Sequence, residues 1–272
     1  MKPARARILA VEAACVALAS FVVVPFLMIV VNSLKDTREA AMFRLSLPSQ
    51  WMWGNYGKVL SESGIARGFA NSIGLAAAVV LVDDLFASLA AFVIQRRSRA
   101  LRWLYYLFFL GLIAPVAIVP TIRLMMDLHI HNTYPGIVLY YAATTLPFSV
   151  FVLTGFMKSL PRELDEAALM EGCGYLRLFF QIIAPLIGPA LVTVTIVAAT
   201  AVWDDFTGPF YLISDSRKWT IILKIFSFMS QYQTEWGLVF AFMMLVLAPV
   251  LAVYLLLQRY IIDGLTAGSL KG

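Results

Sequence analysis

The chain has 272 residues, 61% of them hydrophobic and 14% charged, and a formal net charge of +5. Its mean hydropathy is +0.83. Soluble domains carry charge on about a quarter of their residues, so this composition excludes a soluble globular protein and points to a multi-pass membrane protein.

Six apolar stretches can each cross a hydrocarbon core of about 30 Å, which takes about 20 helical residues. In chain order they are residues 8–32, 70–94, 103–126, 136–157, 185–210 and 236–258. No small-residue cleavage site follows the first, so it reads as a span rather than a signal peptide. Lys2, Arg5 and Arg7 precede span one, and Arg96, Arg97, Arg99 and Arg102 fill the short loop after span two. The positive-inside rule puts both groups in the cytoplasm. The 158–184 loop and the 259–272 tail then also face the cytoplasm, while 33–69 and 211–235 face outward. The positive charge is loop bias rather than a nucleic-acid footprint, since no basic stripe interleaves with aromatics. No internal repeat or linker divides the chain, which reads as one membrane domain over 1–272. Cys15 falls in the first span and Cys173 in the cytoplasmic loop, so no disulfide is expected.

Polar groups inside the spans are the next signal. Asp83 and Asp84 lie mid-span, where an ionised carboxylate costs roughly 2.5–3.5 kcal/mol on insertion scales. Adjacent residues point about 100° apart on a helix, so both cannot face one narrow target. Structural hydrogen bonding is favoured over a place in a substrate path or gate. Pro115, Pro120, Pro147 and Pro249 kink their spans or free carbonyls to line a cavity. His129 and His131, with Asp127 nearby, fall in the short outward loop and read as solvated rather than as a metal site, which needs a third well-placed ligand and a closed geometry.

The charged island after span four carries the most information. Pro161 suits a first helical turn, and Glu163, Asp165 and Glu166 set negative charge near the positive end of the helix dipole. Gly172 can end that helix in a left-handed conformation. Tyr175, Phe179 and Ile183 then recur at i, i+4 and i+8, with Arg177 and Gln181 elsewhere, giving an apolar face that can lie on the bundle. Ala167 and Ala168 give the helix a slim surface. On these residues alone the island is either an amphipathic loop packed on its own bundle or a docking element for a partner. Further on, Trp203, Asp204, Asp205 and Phe206 sit at the outer end of span five. They suit a polyol, whose hydroxyls donate to carboxylates and whose C–H faces pack on aromatics; an interfacial aromatic belt is the alternative. In 211–235, Trp219, Phe226, Phe228, Tyr232 and Trp236 suit either a protein contact or an interfacial helix.

Glu166-Ala167-Ala168, Gly172, Ile182 and Pro185 together resemble the EAA loop of binding-protein-dependent ABC importer permeases. The family pattern is Glu-Ala-Ala, three residues, Gly, nine residues, Ile, any residue, Leu, Pro. Ala184 stands where the family has Leu, and Cys173 where it often has Ala; neither change removes the turn or the helix start. Leu146-Pro147-Phe148, Phe156, Pro161 and Glu163-Leu164 precede the loop as they do in carbohydrate-type permeases. Trp203-Asp204-Asp205-Phe206 is similar to that subfamily's Trp-Asn-Asp-Phe, with Asp204 in place of Asn. Gln258-Arg259 and the ending Gly264 to Gly272 resemble its terminal signature, and Trp51 to Tyr56 its first outward loop. The resemblance covers essentially the whole chain and is nearest to the second permease subunit of maltose-type importers.

The resemblance implies an all-α integral membrane fold: a six-helix bundle of the type I importer kind, both termini cytoplasmic, with a cytoplasmic coupling helix. It implies a permease subunit of the bacterial inner membrane. Its partners would be a second homologous permease, two copies of a cytoplasmic ATPase and an extracytoplasmic substrate-binding protein. Glu163, Glu166, Ala167, Ala168, Gly172 and Pro185 would couple to the ATPase, and Gly268, Lys271 and Gly272 in the tail would reach it. Trp203, Asp204 and Asp205 would line the substrate path, and Trp219, Tyr232 and Trp236 would meet the binding protein; Asp83, which matches no family motif, is a path candidate from its mid-span position alone. The chain has no Gly-x4-Gly-Lys-Ser/Thr loop, so ATP and magnesium would be used by the partner ATPase, with no cofactor or metal held here. The expected cargo is a sugar, oligosaccharide or polyol. An alternative is a proton-coupled secondary transporter with intramembrane Asp carriers, though such proteins usually show internal repeats and more helices. An intramembrane enzyme is disfavoured, because no Gly-x-Ser-x-Gly or His-Glu-x-x-His is present.

Overall fold

The computed structural model describes residues 3–62, 64–97, 101–229 and 234–269, and every regular element among them is a helix. The α-helices are α1 (Pro3–Asn32), α2 (Thr37–Ala40), α3 (Gly54–Ser61), α4 (Ile65–Phe92), α5 (Arg102–Ile113), α6 (Ile118–Asp127) and α7 (Tyr134–Ser159). There follow α8 (Glu163–Met170), α9 (Tyr175–Leu178), α10 (Ala184–Leu186), α11 (Gly188–Asp204), α12 (Thr207–Leu212) and α13 (Trp236–Ser269). Wider π-helical turns occupy Val93–Arg97 and Phe179–Ile183. The chain divides into two compact units, Met1–Ala66 with Lys224–Leu251, and Arg67–Leu223 with Ala252–Gly272.

In the first unit, residues 11–27 of α1 are exposed on every side. An apolar helix bare all round requires lipid or another subunit as its surroundings. The chain leaving α1 is tied down by polar contacts. Asn55 Nδ2 donates to the carbonyls of Ser33 at 3.0 Å and Lys35 at 2.9 Å. The buried Lys35 ammonium donates to Asn32 Oδ1 at 3.0 Å and the Arg44 carbonyl at 2.7 Å. Those partners make its burial tolerable, while the lost hydration pushes its pKa below the usual lysine value. The first turn of α13 approaches closely here: a Cβ on Gly237 would lie 2.7 Å from the Lys35 carbonyl oxygen. Phe43 meets Trp236 edge-on, with ring centroids 4.7 Å apart.

The second unit packs α4, α7 and α11 around two apolar clusters. Leu75, Val79, Ile137, Tyr141 and Val202 belong to one cluster, together with Met125, Leu212 and Ile213. Ala87, Ala91, Val150, Leu153 and Val194 belong to the other, with Ala168, Leu178, Phe179 and Ile183 of the island. The i, i+4 pairs 75/79 and 87/91 put one face of α4 against both clusters. One end of the unit carries Asn71, residues 130–134 and residues 205–219, joined by hydrogen bonds. Asn71 Nδ2 donates to the Arg217 carbonyl at 2.9 Å, and Lys218 Nζ to the Asn132 carbonyl at 2.6 Å. The other end carries the close of α4, the start of α5, the close of α7 and the island.

Five of the six expected spans coincide with long or paired apolar helices: Val11–Asn32, Ile65–Arg96, Tyr134–Ser159 and the bent pairs Trp103–Ile113 with Ile118–Asp127 and Tyr175–Leu186 with Gly188–Asp204. The sixth coincides with the shorter apolar run Trp236–Ala252. Two stretches differ from expectation. The third is not one kinked helix but two, at 118° to each other. Pro115 disfavours helical backbone at Ala114, which is extended at φ −67 and ψ 126, so the helix stops there. Pro120 does no such damage, because it lies in the first turn of α6, where no intrahelical N–H is needed. The fifth helix ends at Asp204 rather than near residue 210, because Asp205 is extended at ψ 119 and starts the next turn. Pro147 stays inside a continuous α7 and Pro249 inside α13.

Candidate functional site

The island forms a helix, a tight turn and a second, wider helix. α7 stops at Leu160, which is extended before Pro161. Pro161 therefore precedes the first turn of α8 instead of lying in it, and Arg162 is the N-cap. Glu163, Asp165 and Glu166 fill that first turn as expected. Gly172 has φ +80. The Cys173 amide donates to the Ala168 carbonyl and the Gly172 amide to the Leu169 carbonyl, both at 3.0 Å, which is the paired closure of a Schellman motif. No atom lies within 4 Å of a Cβ built on Gly172, so its backbone conformation rather than crowding calls for glycine.

The two alanines part company. Ala168 is buried in the apolar cluster, while Ala167 is exposed beside the exposed Glu163, Glu166 and Gly172. The slim surface is thus Ala167 alone, and Ala168 lets α8 sit close on its own bundle. Phe179 and Ile183 are buried as their spacing implies, but Tyr175 faces out, and Leu178 takes its place in the core. A wider π-helical turn follows at Phe179–Ile183. Pro185 is exposed in the one-turn α10. The outer face of the island is apolar: Met170 is 89% exposed, Leu176 73% and Phe180 55%.

One ion pair anchors α8 to the end of α4. Arg96 Nε lies 3.1 Å from Asp165 Oδ2, with the two side chains only 5% and 13% exposed. Arg96 Nη2 also donates to the Leu160 carbonyl at 3.1 Å, and Arg162 Nη2 to the Gln95 carbonyl at 3.3 Å. Burial pushes the Asp165 carboxyl above the usual carboxylate range, against the pull of Arg96 and then Arg162. Neither Asp165 nor Arg96 could be assigned a partner from sequence patterning, because the two are distant along the chain.

Between the two apolar clusters runs a polar layer. Asp83 is fully buried, and its two oxygens accept from Thr145 Oγ1 at 2.7 Å and Ser149 Oγ at 2.5 Å, both on α7. Asp84 Oδ2 accepts from Thr195 Oγ1 of α11 at 2.7 Å. The neighbouring acids thus point to different helices, as their angular offset requires, and join α4 to α7 and α11. Asp83→Ala should lower stability by about 2 kcal/mol, because it strands buried hydroxyls, whereas Asp83→Asn, which keeps an acceptor, should cost less than half of that. Thermal unfolding of the detergent-solubilised protein checks this. Lost transport at unchanged stability would instead place Asp83 in the substrate path.

At the opposite end of the unit, the acids at the close of α11 differ. Asp205 Oδ2 accepts from the Tyr141 hydroxyl and the Gly208 amide, each at 3.0 Å, and Oδ1 accepts from the Thr207 amide at 2.9 Å. Its oxygens are taken up in capping α12. Asp204 is exposed, and Trp203 is half-buried with its ring 6.2 Å from that of Phe69. Within 211–235, Ile221, Leu223 and Phe228 are buried, and the Ile221 amide donates to Ser72 Oγ at 2.8 Å. Trp219 is half-buried in the second unit and Trp236 in the first. Tyr232, Lys271 and Gly272 lie outside the described residues, and Gly268 falls in the last turn of α13. Among the described residues, no group of three or more His, Cys, Asp or Glu is placed to hold a metal ion.

Comparison with known proteins agrees with this architecture. Residues 85–266 match the family described as binding-protein-dependent transport system inner membrane component. The chain is 33% identical over 255 residues to the diacetylchitobiose uptake system permease protein NgcG of Streptomyces coelicolor, covering 92% of this chain and 84% of that one. It is 31% identical over 250 residues to the probable starch degradation products transport system permease protein AmyC of Thermoanaerobacterium thermosulfurigenes, covering 91% of each. The trehalose/maltose transport system permease protein MalG of Thermococcus litoralis is 33% identical over 224 residues, covering 80% of this chain and 81% of that protein. In fold, the chain is similar to a chain of a bacterial ABC transporter involved in the import of the acidic polysaccharide alginate. The TM-score is 0.84 at 20% identity, over 96% of this chain and 98% of that one.

Proposed function

The chain belongs to the family of binding-protein-dependent transport system inner membrane components, and from that premise we propose that it is one permease subunit of an ATP-driven importer of oligosaccharides. The names of its relatives, which concern diacetylchitobiose, starch degradation products and trehalose or maltose, support the carbohydrate class. In this reading a single permease domain of six spans has both termini in the cytoplasm. It pairs with a second permease, two ATPase subunits that use ATP and magnesium, and an external binding protein.

The observation that carries the reading is the island. A charged helix ends on a left-handed glycine, is anchored behind by Arg96 and Asp165, and presents Met170, Leu176 and Phe180 outward. Met170 lies in α8, outside every apolar span, and an apolar side chain exposed there calls for a protein partner. Glu163, Glu166 and Ala167 would meet the ATPase cleft on the same face, while Ala168 and Ile183 transmit its movement into the bundle through the core they share. Pro185 starts the next helix, and Gly268, Lys271 and Gly272 would reach the ATPase from the tail. Trp203 and Asp204 are the proposed path residues at the outer end, with Asp205 holding that end together and Asp83 holding the bundle. Trp219, Tyr232 and Trp236 are proposed to meet the binding protein.

Sealed vesicles holding the complex separate this reading from a proton-coupled carrier. Uptake of ligand presented on the cognate binding protein should require ATP inside and persist when the proton gradient is collapsed. Uptake that follows the gradient and ignores ATP would overturn it. In the same assay Glu166→Lys, which reverses charge on the docking face, should lower ATPase association while leaving membrane insertion intact; association and uptake at wild-type levels would count against the docking role.

A further inference from the structure

A cavity of about 780 Å³ opens at the end of the second unit that carries the island. Its walls come from the close of α4, the start of α5 and the close of α7, which are three span ends on one side of the membrane. The lining includes Arg96, Lys158 and Arg162 together with Thr154, Tyr105 and Phe151. Arg96 is already balanced by Asp165. Arg162 donates to a backbone carbonyl and adds a weaker pull on Asp165 than Arg96 does, and Lys158 is exposed with no partner among the described residues. Three cations thus stand against the one Asp165 carboxylate, which leaves a net positive charge at the cavity. Thr154 is 3% exposed, and its hydroxyl oxygen has no hydrogen-bond partner among the described residues. A buried hydroxyl left without a partner costs about 1–3 kcal/mol, so a bound acceptor is the natural remedy. Tyr105 and Phe151 lie with their rings 6.3 Å apart and nearly parallel, at 26°, and supply an apolar wall on the membrane side.

We propose that this cavity holds the phosphate-bearing headgroup of an anionic phospholipid from the same leaflet. Cations at the rim meet the phosphate, the Thr154 hydroxyl, sealed from solvent as it stands, turns to donate to a headgroup oxygen, and the aromatic wall leads to the acyl region. A volume of this size lies within the range of small-molecule sites. Basic pockets between span ends attract anionic headgroups, each cation being worth about a fivefold gain in binding. The lipid would then sit beside the Arg96–Asp165 anchor of α8. That placement in the cytoplasmic leaflet rests on the importer reading, whereas the site itself rests on the cavity.

The test is lipid retention by the complex purified through a tagged copy of the full-length chain, read by native mass spectrometry. Dioleoyl-phosphatidylglycerol should be retained in preference to dioleoyl-phosphatidylcholine. The double variant Lys158→Gln/Arg162→Gln should weaken that retention about thirtyfold, and Thr154→Val should weaken it with the cations intact. Equal retention in all three proteins would overturn the proposal. So would sn-glycerol 1-phosphate binding as tightly as the lipid, since the ligand would then be a soluble anion. Lipid bound to the isolated chain but absent from the complex would also overturn it, by assigning the cavity to a subunit interface. Retention is read without transport, so its failure leaves the importer reading standing, and loss of ATP dependence in uptake leaves lipid retention unaffected.

Discussion

Gly172→Val should leave the protein inserted in the membrane but cut ATP-driven uptake about tenfold or more. Its backbone is at φ +80, where an L-residue pays on the order of 1–2 kcal/mol and a β-branched one stands at the upper end. The valine must either accept that strain or unwind the turn. Unwinding breaks the bonds from Cys173 to Ala168 and from Gly172 to Leu169 that close α8. The exposed face formed by Met170 and Leu176 would then no longer hold one arrangement. Since no neighbour crowds the position, Gly172→Asn, which tolerates a left-handed backbone, should keep most of the uptake, with Gly172→Ala between the two. That graded order separates a backbone effect from a loss of space. Equal defects in the three variants, or none in the valine form, would count against it.

The second large effect is expected at Arg96. Arg96→Ala should destabilise the second unit by about 3 kcal/mol, because it leaves the Asp165 carboxylate buried without its counter-charge. Uptake should fall with it, since α8 loses its tie to the end of α4. Acidity should lessen the defect. The Asp165 value is raised by burial even with Arg96 present, and removing the guanidinium raises it further. A carboxyl whose folded value lies above its unfolded one binds protons more readily when folded, so its contribution grows as pH falls through the folded value. The stability gap between variant and wild type should therefore be smaller near about pH 5 than near about pH 8. Thermal unfolding in detergent at both values reads it out. A gap that widens in acid would show that Asp165 is not the group left uncompensated.

Signals local in sequence translated well into structure. The acidic first turn of α8 and its glycine stop were both legible, because capping depends on a few consecutive residues. Three spans, Val11–Asn32, Ile65–Arg96 and Tyr134–Ser159, were legible as single helices from length and apolarity. What escaped depended on contacts across the chain. Nothing near Asp83 or Asp84 marks Thr145, Ser149 or Thr195 as their partners, although the angular offset between adjacent residues did imply two separate targets. The separation of Ala167 from Ala168 needed the packed bundle, since both alanines look alike on an isolated helix. Pro115 was read as a kink and proved to be a break, because a proline alone does not say whether neighbouring helices will support the chain across it. The cavity between three span ends has no local signature.

The docking of α8 on an ATPase can be tested by cross-linking. Both native cysteines are free and can be replaced by serine, and Met170, 89% exposed at the end of α8, can then be changed to cysteine. Leu47, 75% exposed in the segment assigned to the outer side, serves as the control position. In membranes containing the assembled complex, a thiol-reactive bifunctional reagent should join the Met170→Cys form to the ATPase subunit, in a yield that changes when ATP is added. The Leu47→Cys form should give no such product. An ATPase cross-link from Leu47→Cys, or none from Met170→Cys in a complex that still transports, would contradict the coupling role of this helix.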